Sequence, residues 1–124
     1  MHAAPAVTKW PVFDRDAVAR WSADRIVLLG DACHPLRPYM AAGAAMAIED
    51  AAVLARCIAE FGMDDASESF AWYEANRVPR VGKVQHFSLT NTWLRTPTNP
   101  DWLFRYDACT VPLVPPVHAE AKVV

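Results

Sequence analysis

The stretch spanning residues 25–56, RIVLLGDACHPLRPYMAAGAAMAIEDAAVLAR, constrains the fold more than any other part of the chain. Residues 25–29 are a short run of Ile, Val and Leu closed by Gly30, the pattern of a strand buried on both faces. Gly30-Asp31 supplies a turn. It leaves a carboxylate just past the strand's end, where open α/β sheets hold their ligands. Pro35 and Pro38 forbid regular helix between them and predict an extended loop. Gly43 then opens a helix in which Ala44, Ala47, Ile48, Ala51, Leu54, Ala55 and Ile58 recur at helical spacing. Gly62 is its expected C-terminal cap.

Each of these pieces suits one task, which is holding a polar, partly anionic cofactor. A carboxylate after a strand accepts hydrogen bonds from sugar hydroxyls. A helix N-terminus carries partial positive charge and unpaired N–H donors, so it favours negative charge nearby. Gly43 has no side chain, so backbone can approach a flat ring closely. Asp50 and Glu49 read as structural, because a buried Asp on this helix needs donors from the loop. Cys33 and His34 form a single adjacent pair with no second pair, which is not the spacing of a metal site. His34 is expected to order the loop instead.

The flanks read more simply. Residues 10–13 are extended, since Pro11 pushes Trp10 toward β geometry, and residues 14–22 are a connector. Asp65 and Glu68 form the pattern of a capping box for a second helix carrying Phe70, Trp72, Tyr73 and Arg77. Pro79 is expected to break or kink that helix near Asn76. A third helical stretch should run over residues 81–94, with Val84, Phe87, Ser88 and Asn91 on one face. Residues 96–100, TPTNP, are a breaker, after which Asp101 caps a short helix through Arg105. The late aromatic residues read as core. Residues 1–9 and 114–124 are expected to be disordered.

Composition narrows the partners. Net charge is −2 with acids and bases interspersed, so there is no basic stripe for nucleic acid and no basic amphipathic segment for a membrane surface. No apolar run is long enough to span a bilayer, and residues 1–10 lack the pattern of a signal peptide. The 3 cysteines are an odd, unclustered set. That argues against a disulfide framework and predicts a cytoplasmic protein. Apolar residues reach 53%, a load for so short a chain that predicts apolar surface turned toward a partner.

The run GDACHP, the following Pro38 and GAAMAIEDAAVLA resemble the second FAD-binding motif of the single-component aromatic-ring hydroxylases. These are flavoprotein monooxygenases of the 4-hydroxybenzoate and salicylate hydroxylase type. The extended run through Ile58, with the later YEANR, NTW, PDW and VPL, is similar to the nicotinate branch of that family. The resemblance covers about residues 10–113. It implies an α/β fold: the C-terminal portion of a Rossmann-like FAD-binding domain, with one or two strands followed by about three helices. The family's N-terminal GxGxxG does not occur in these residues, which hold only 4 glycines. The whole chain, residues 1–124, is therefore expected to be the C-terminal part of a longer domain. Three readings stay open: a truncated gene, one half of a split enzyme, or a non-enzymatic remnant that serves as a binding module.

By the same resemblance the parent enzyme uses FAD, NADH or NADPH as reductant, O₂ and a small aromatic substrate. In the nicotinate branch it performs decarboxylating hydroxylation, and salicylate-type substrates are the alternative. Asp31, with Gly30, is expected at the ribityl or pyrophosphate region of FAD. Pro38 is expected beside the reactive edge of the flavin. Gly43, Ala44 and Ala45 match the turn whose N–H groups face the pyrimidine end of the ring. The family's usual Gly-Gln-Gly-x-Asn is altered here, with Ala41, Ala42 and Ala45 at the first Gly, the Gln and the Asn. Tyr39 is expected to look toward the substrate, at a position where the nicotinate branch more readily carries His. No residue is assigned as catalytic acid or base. A missing N-terminal half or a second copy of the chain is the expected protein partner.

Overall fold

The computed structural model describes residues 6–13, 15–90 and 96–117. Two short strands, β1 (Ser22–Ala23) and β2 (Ile26–Val27), precede three helices: α1 (Gly43–Phe61), α2 (Ala66–Thr90) and α3 (Asp101–Phe104). Single 3-10 turns, Gly30–Ala32 and Pro38–Met40, occupy the loop between β2 and α1. The arrangement is α/β, as expected.

The expected five-residue buried strand is not what forms. β1 and β2 make a tight antiparallel hairpin, with Ser22 opposite Val27 and Ala23 opposite Ile26. Asp24 closes it in the left-handed region at φ 50°. Ile26 is 69% exposed, and Leu28 and Leu29 are each 36% exposed. The apolar run is present, but among the described residues no strand pairs with the outer edge of β2. The loop after it also differs from expectation. Pro38 does not hold an extended backbone but starts a 3-10 turn at its first position, where its fixed φ is helix-compatible and its missing N–H costs nothing.

α1 and α2 form the main packing pair. Four residues, 62–65, join them, and contacts run in opposite senses along the two helices, from Ser69 on Cys57 to Arg77 on Asp50. The pair is therefore an antiparallel helical hairpin. Gly62 ends α1 as expected, at φ 83°, with its N–H on the Ile58 carbonyl. Ser69 Oγ donates to the Gly62 carbonyl at 2.6 Å, locking the corner. Asp65 caps α2 by accepting from the Ser67 N–H and hydroxyl.

The buried stripe of α1 is Met46, Asp50, Val53 and Cys57, spaced i, i+4, i+7, i+11. It is not the stripe predicted from apolar residues. Ala44, Ala51 and Ala55 are exposed, and Ile48 is 71% exposed. α1 is apolar nearly all round, so its periodicity carried little information. The facing acid and base decided the orientation.

Pro79 does not end α2, which runs unbroken for 25 residues and absorbs the separate third helix. An interior proline costs about 3 kcal/mol. Here Arg77 and Arg80 flank it and anchor both sides to Glu49 of α1. Their charge-assisted bonds offset the lost one. The expected end of the third stretch, and Asn91 on its face, lie outside the described residues. The α3 cap is also shifted: Asn99 Oδ1 accepts from the Asp101 N–H, and Asp101 is already inside the helix.

The segment after α3 has no regular structure through residue 117, yet it is tied down. Arg56 donates to the carbonyls of Ala108 and Val111, both at 2.8 Å. Val114, where disorder was expected to begin, exchanges two hydrogen bonds with the Asn76 side chain. Leu103 and Ala108 are buried, and Trp102 packs on Phe87, so these two late aromatics serve the core as expected, whereas Phe104 is 64% exposed and Trp93 lies outside the described residues. Truncating Arg56 to Ala should free residues 107–114 and lower stability by about 1–3 kcal/mol, the worth of two hydrogen bonds from a cation. Hydrogen exchange should show faster amides in that segment while α2 amides keep their protection.

Candidate functional site

The loop from Leu29 to Gly43 folds back against the start of α1 and leaves an open cleft of about 560 Å³. Gly30, Asp31, Pro38, Gly43 and Ala44 all line it, with Leu29, Leu36, Arg37, Ala41 and Ala47 completing the walls. The chain thus brings together most of the residues singled out in its sequence. Tyr39 and Ala45 are not in the lining; both are exposed. Leu36, Arg37 and Ala47 were not anticipated, and Ala47 could have been, since it follows Gly43 by one helical turn.

Two glycines serve opposite needs. Gly30 sits at φ +59°, and a Cβ there would lie 3.1 Å from the Ala47 Cβ. Only glycine fits both the left-handed backbone and the close approach of loop to helix. Gly43 has ordinary backbone geometry, and a Cβ on it would meet nothing within 4 Å. Its missing side chain keeps the cleft open instead of relieving a clash. Between them, Ala41 adopts φ 50° at the end of the 3-10 turn. An L-residue in this region carries a strain of roughly 1–2 kcal/mol.

The N-terminus of α1 has no side-chain cap. Its first N–H groups, at Gly43 and Ala44, therefore remain as donors at the cleft wall. Asp31 is exposed and lines the same cleft. The cleft combines helix-end donors, a carboxylate acceptor and an apolar floor of Leu29, Leu36 and Ala47. That donor set fits a ligand with a flat ring, hydroxyls and negative charge.

Behind the cleft lies a buried ionic cluster. Asp50 is fully buried. Its Oδ2 accepts from the Gly30 N–H at 3.0 Å and pairs with His34 Nε2. Its Oδ1 accepts from Arg77 Nε at 2.7 Å. Arg77, also fully buried, reaches Glu49 Oε2 at 2.7 Å and the Met46 carbonyl at 3.3 Å. Arg80 grips both Glu49 oxygens and the carbonyls of Trp102 and Leu103, with its guanidinium 3.7 Å from the Tyr106 ring centre. The loop donors that a buried Asp50 required are thus in place, and His34 orders the loop as expected.

Burial pushes the Asp50 carboxyl up. Hydrogen bonds from His34 and Arg77, the Arg77 charge and the Gly30 N–H outweigh it and hold the carboxyl below the usual range. Arg77 is pushed down by burial but raised overall by Asp50 and Glu49. Burial, then the Asp50 charge, pushes the Cys33 thiol up to about 12. Cys33, His34 and Asp50 bring potential ligand atoms within 4.8 Å of one another. Both Asp50 oxygens are already committed to Gly30, His34 and Arg77, and Cys33 Sγ donates to the Gly30 carbonyl, so the trio works as a hydrogen-bonded anchor.

Residues 4–88 match the family model described as "FAD binding domain". The chain belongs to this FAD-binding-domain family. It is 58% identical to a 6-hydroxynicotinate 3-monooxygenase of Pseudomonas fluorescens over 110 residues, 89% of this chain and 29% of that protein. It is 55% identical to the Bordetella bronchiseptica enzyme of the same name, over 92% of this chain and 30% of that protein. A 3-hydroxybenzoate 6-hydroxylase of Klebsiella oxytoca is 46% identical over 61% of this chain and 19% of its own length. The chain therefore spans about three-tenths of the 6-hydroxynicotinate relatives. Among the described residues no helix is long and apolar enough to cross a membrane.

The depressed Asp50 carboxyl sets a pH dependence. Its contribution to stability is fully present above the unfolded carboxylate pKa of about 3.9. It is lost as pH falls through the lower folded value. Urea midpoints measured from pH 2 to 7 should fall below about pH 4. That fall should be shallower in Asp50→Asn, which has no carboxyl there to protonate.

Proposed function

We propose that this chain forms the flavin-ring side of an FAD site in an NAD(P)H-dependent aromatic hydroxylase, built on the C-terminal part of a Rossmann-like domain. The observation that carries this reading is the single cleft that gathers Asp31, Pro38 and the uncapped start of α1. Asp31 accepts hydrogen bonds from sugar-chain hydroxyls of the cofactor. The N–H groups of Gly43 and Ala44 stabilise negative charge on the ring edge next to them, as fixed dipoles that need no reorganisation. Leu29, Leu36 and Ala47 exclude water from one side. FAD, once reduced, supplies the oxygen chemistry, and the protein's work is position and charge.

The substrate class follows the relatives: a small aromatic acid, with O₂ as co-substrate. The specific reading is decarboxylating hydroxylation of 6-hydroxynicotinate to 2,5-dihydroxypyridine. Tyr39, 44% exposed beside Pro38, is the residue of this chain offered to that substrate, where it can donate a hydrogen bond or stack. Tyr stands where the nicotinate branch more readily carries His, and a salicylate-type acid is the second reading. Trp10, Phe13 and Ile26 are 80%, 79% and 69% exposed, an apolar load suited to an N-terminal half that completes the site. The working location of such an enzyme is the cytoplasm.

Two experiments test the reading. Titrating FAD into the purified chain, alone and with a co-expressed N-terminal FAD-binding segment, should quench flavin fluorescence and shift visible absorbance. No binding in either form sinks the proposal. Gly43→Ala separates binding from folding. The added methyl meets no protein atom and favours helix by up to about 1 kcal/mol, so the melting temperature should hold or rise. FAD affinity should drop at least about tenfold, because the methyl stands in the cleft. Unchanged affinity would mean that the cofactor does not lie against this helix end.

A further inference from the structure

We infer that Asp50 is a positioning residue for the Gly30–Asp31 turn, and that Arg77 is what holds Asp50 to that task. The inference rests on the proposed flavin site and names the group that shapes it. Asp31 can face the cleft only if the chain reverses at Gly30, and Gly30 does so at φ +59°. Both backbone groups of Gly30 are committed. Its carbonyl accepts from the Cys33 and His34 N–H groups at 3.0 and 2.9 Å. Its N–H has one acceptor, the Asp50 Oδ2 from 20 residues later. Gly30 is buried, so without that oxygen its N–H would be an unpaired donor away from water.

The division of labour at Asp50 is strict. One oxygen takes Arg77 Nε and the other takes Gly30 N–H and His34 Nε2. A carboxylate serves both sides because both its oxygens accept. An amide of the same shape has one acceptor and one donor end. If asparagine gives its oxygen to the buried Arg77, its NH₂ faces the Gly30 N–H, donor against donor. Asp50→Asn should therefore spare the helix pair and release the turn. Glu49 makes the contrast. It shares Arg77 with Asp50 and also holds Arg80, but the bonds it makes run to α2 and none of them reaches Gly30.

Amide NMR on the full chain reads this without any cofactor. In the wild type, the Gly30 amide should exchange about 100-fold more slowly than that of Gly43, which sits in the uncapped first turn. Asp50→Asn should shift the Gly30 and Asp31 amides and erase most of the Gly30 protection. Glu49→Gln should leave both residues close to wild type. Circular dichroism and α2 amide protection report whether each variant stays folded. If Asp50→Asn does not fold, the wild-type comparison of Gly30 with Gly43 still decides, and equal exchange overturns the inference. So does a folded Asp50→Asn with unmoved Gly30 and Asp31 amides, or a Glu49→Gln that moves them equally. FAD titration of the same variants is read separately. An FAD affinity about tenfold weaker in Asp50→Asn and within about twofold in Glu49→Gln is the expected pattern. An intact Gly30 signature in a wild-type chain that fails to bind FAD both alone and with the N-terminal segment would strike the proposed flavin site and leave the positioning role standing.

Discussion

Arg77 and Asp50 meet away from water, with Glu49 beside Arg77 and Gly30 and His34 beside Asp50 completing the set. Each is fully buried, and a lone buried charge is among the costliest features a small domain can carry. The two must therefore pair. Pairing them sets the rotation of α1 against α2, which the apolar pattern of α1 leaves undefined. The second oxygen of Asp50 then reaches the Gly30 N–H and His34. One carboxylate thus joins the helix packing to the loop that shapes the cleft.

The cluster also extends outward. Glu49 passes the interaction to Arg80, whose other donors hold the carbonyls of Trp102 and Leu103. Arg56 and Asn76 pin the chain beyond α3. The last described segment is irregular in conformation yet fixed in place, because side chains of α1 and α2 satisfy its backbone. Its prolines rule out regular structure without ruling out order. The same cluster explains why Pro79 does not interrupt α2: the turns before and after it are both anchored to Glu49.

The cleft itself follows from two kinds of small residue. Gly30 permits a backbone reversal and an approach to Ala47 that a Cβ would crowd. Gly43 leaves open the space in front of uncapped helix donors. Alanine at 41 holds a left-handed turn at some cost in strain. The alanine-rich loop therefore holds its backbone turn with side chains too small to make polar contacts of their own.

Much of the site was legible from local chemistry. Gly43 as helix start, Gly62 as cap, Asp31 past the strand and the need of Asp50 for loop donors all depend on backbone geometry or on one residue's valence, which sequence carries directly. The resemblance of GDACHP and the helix after it to a flavin motif was legible for the same reason. Tertiary structure alone decided which face of α1 is buried, since alanine on every side erases the periodic signal. It alone decided that α2 continues through Pro79, because the compensating bonds come from Glu49, some thirty positions earlier in the chain. It reduced the expected buried strand to an exposed hairpin edge. A strand's burial belongs to its neighbours, and the residues that would pair with β2 are not among those described.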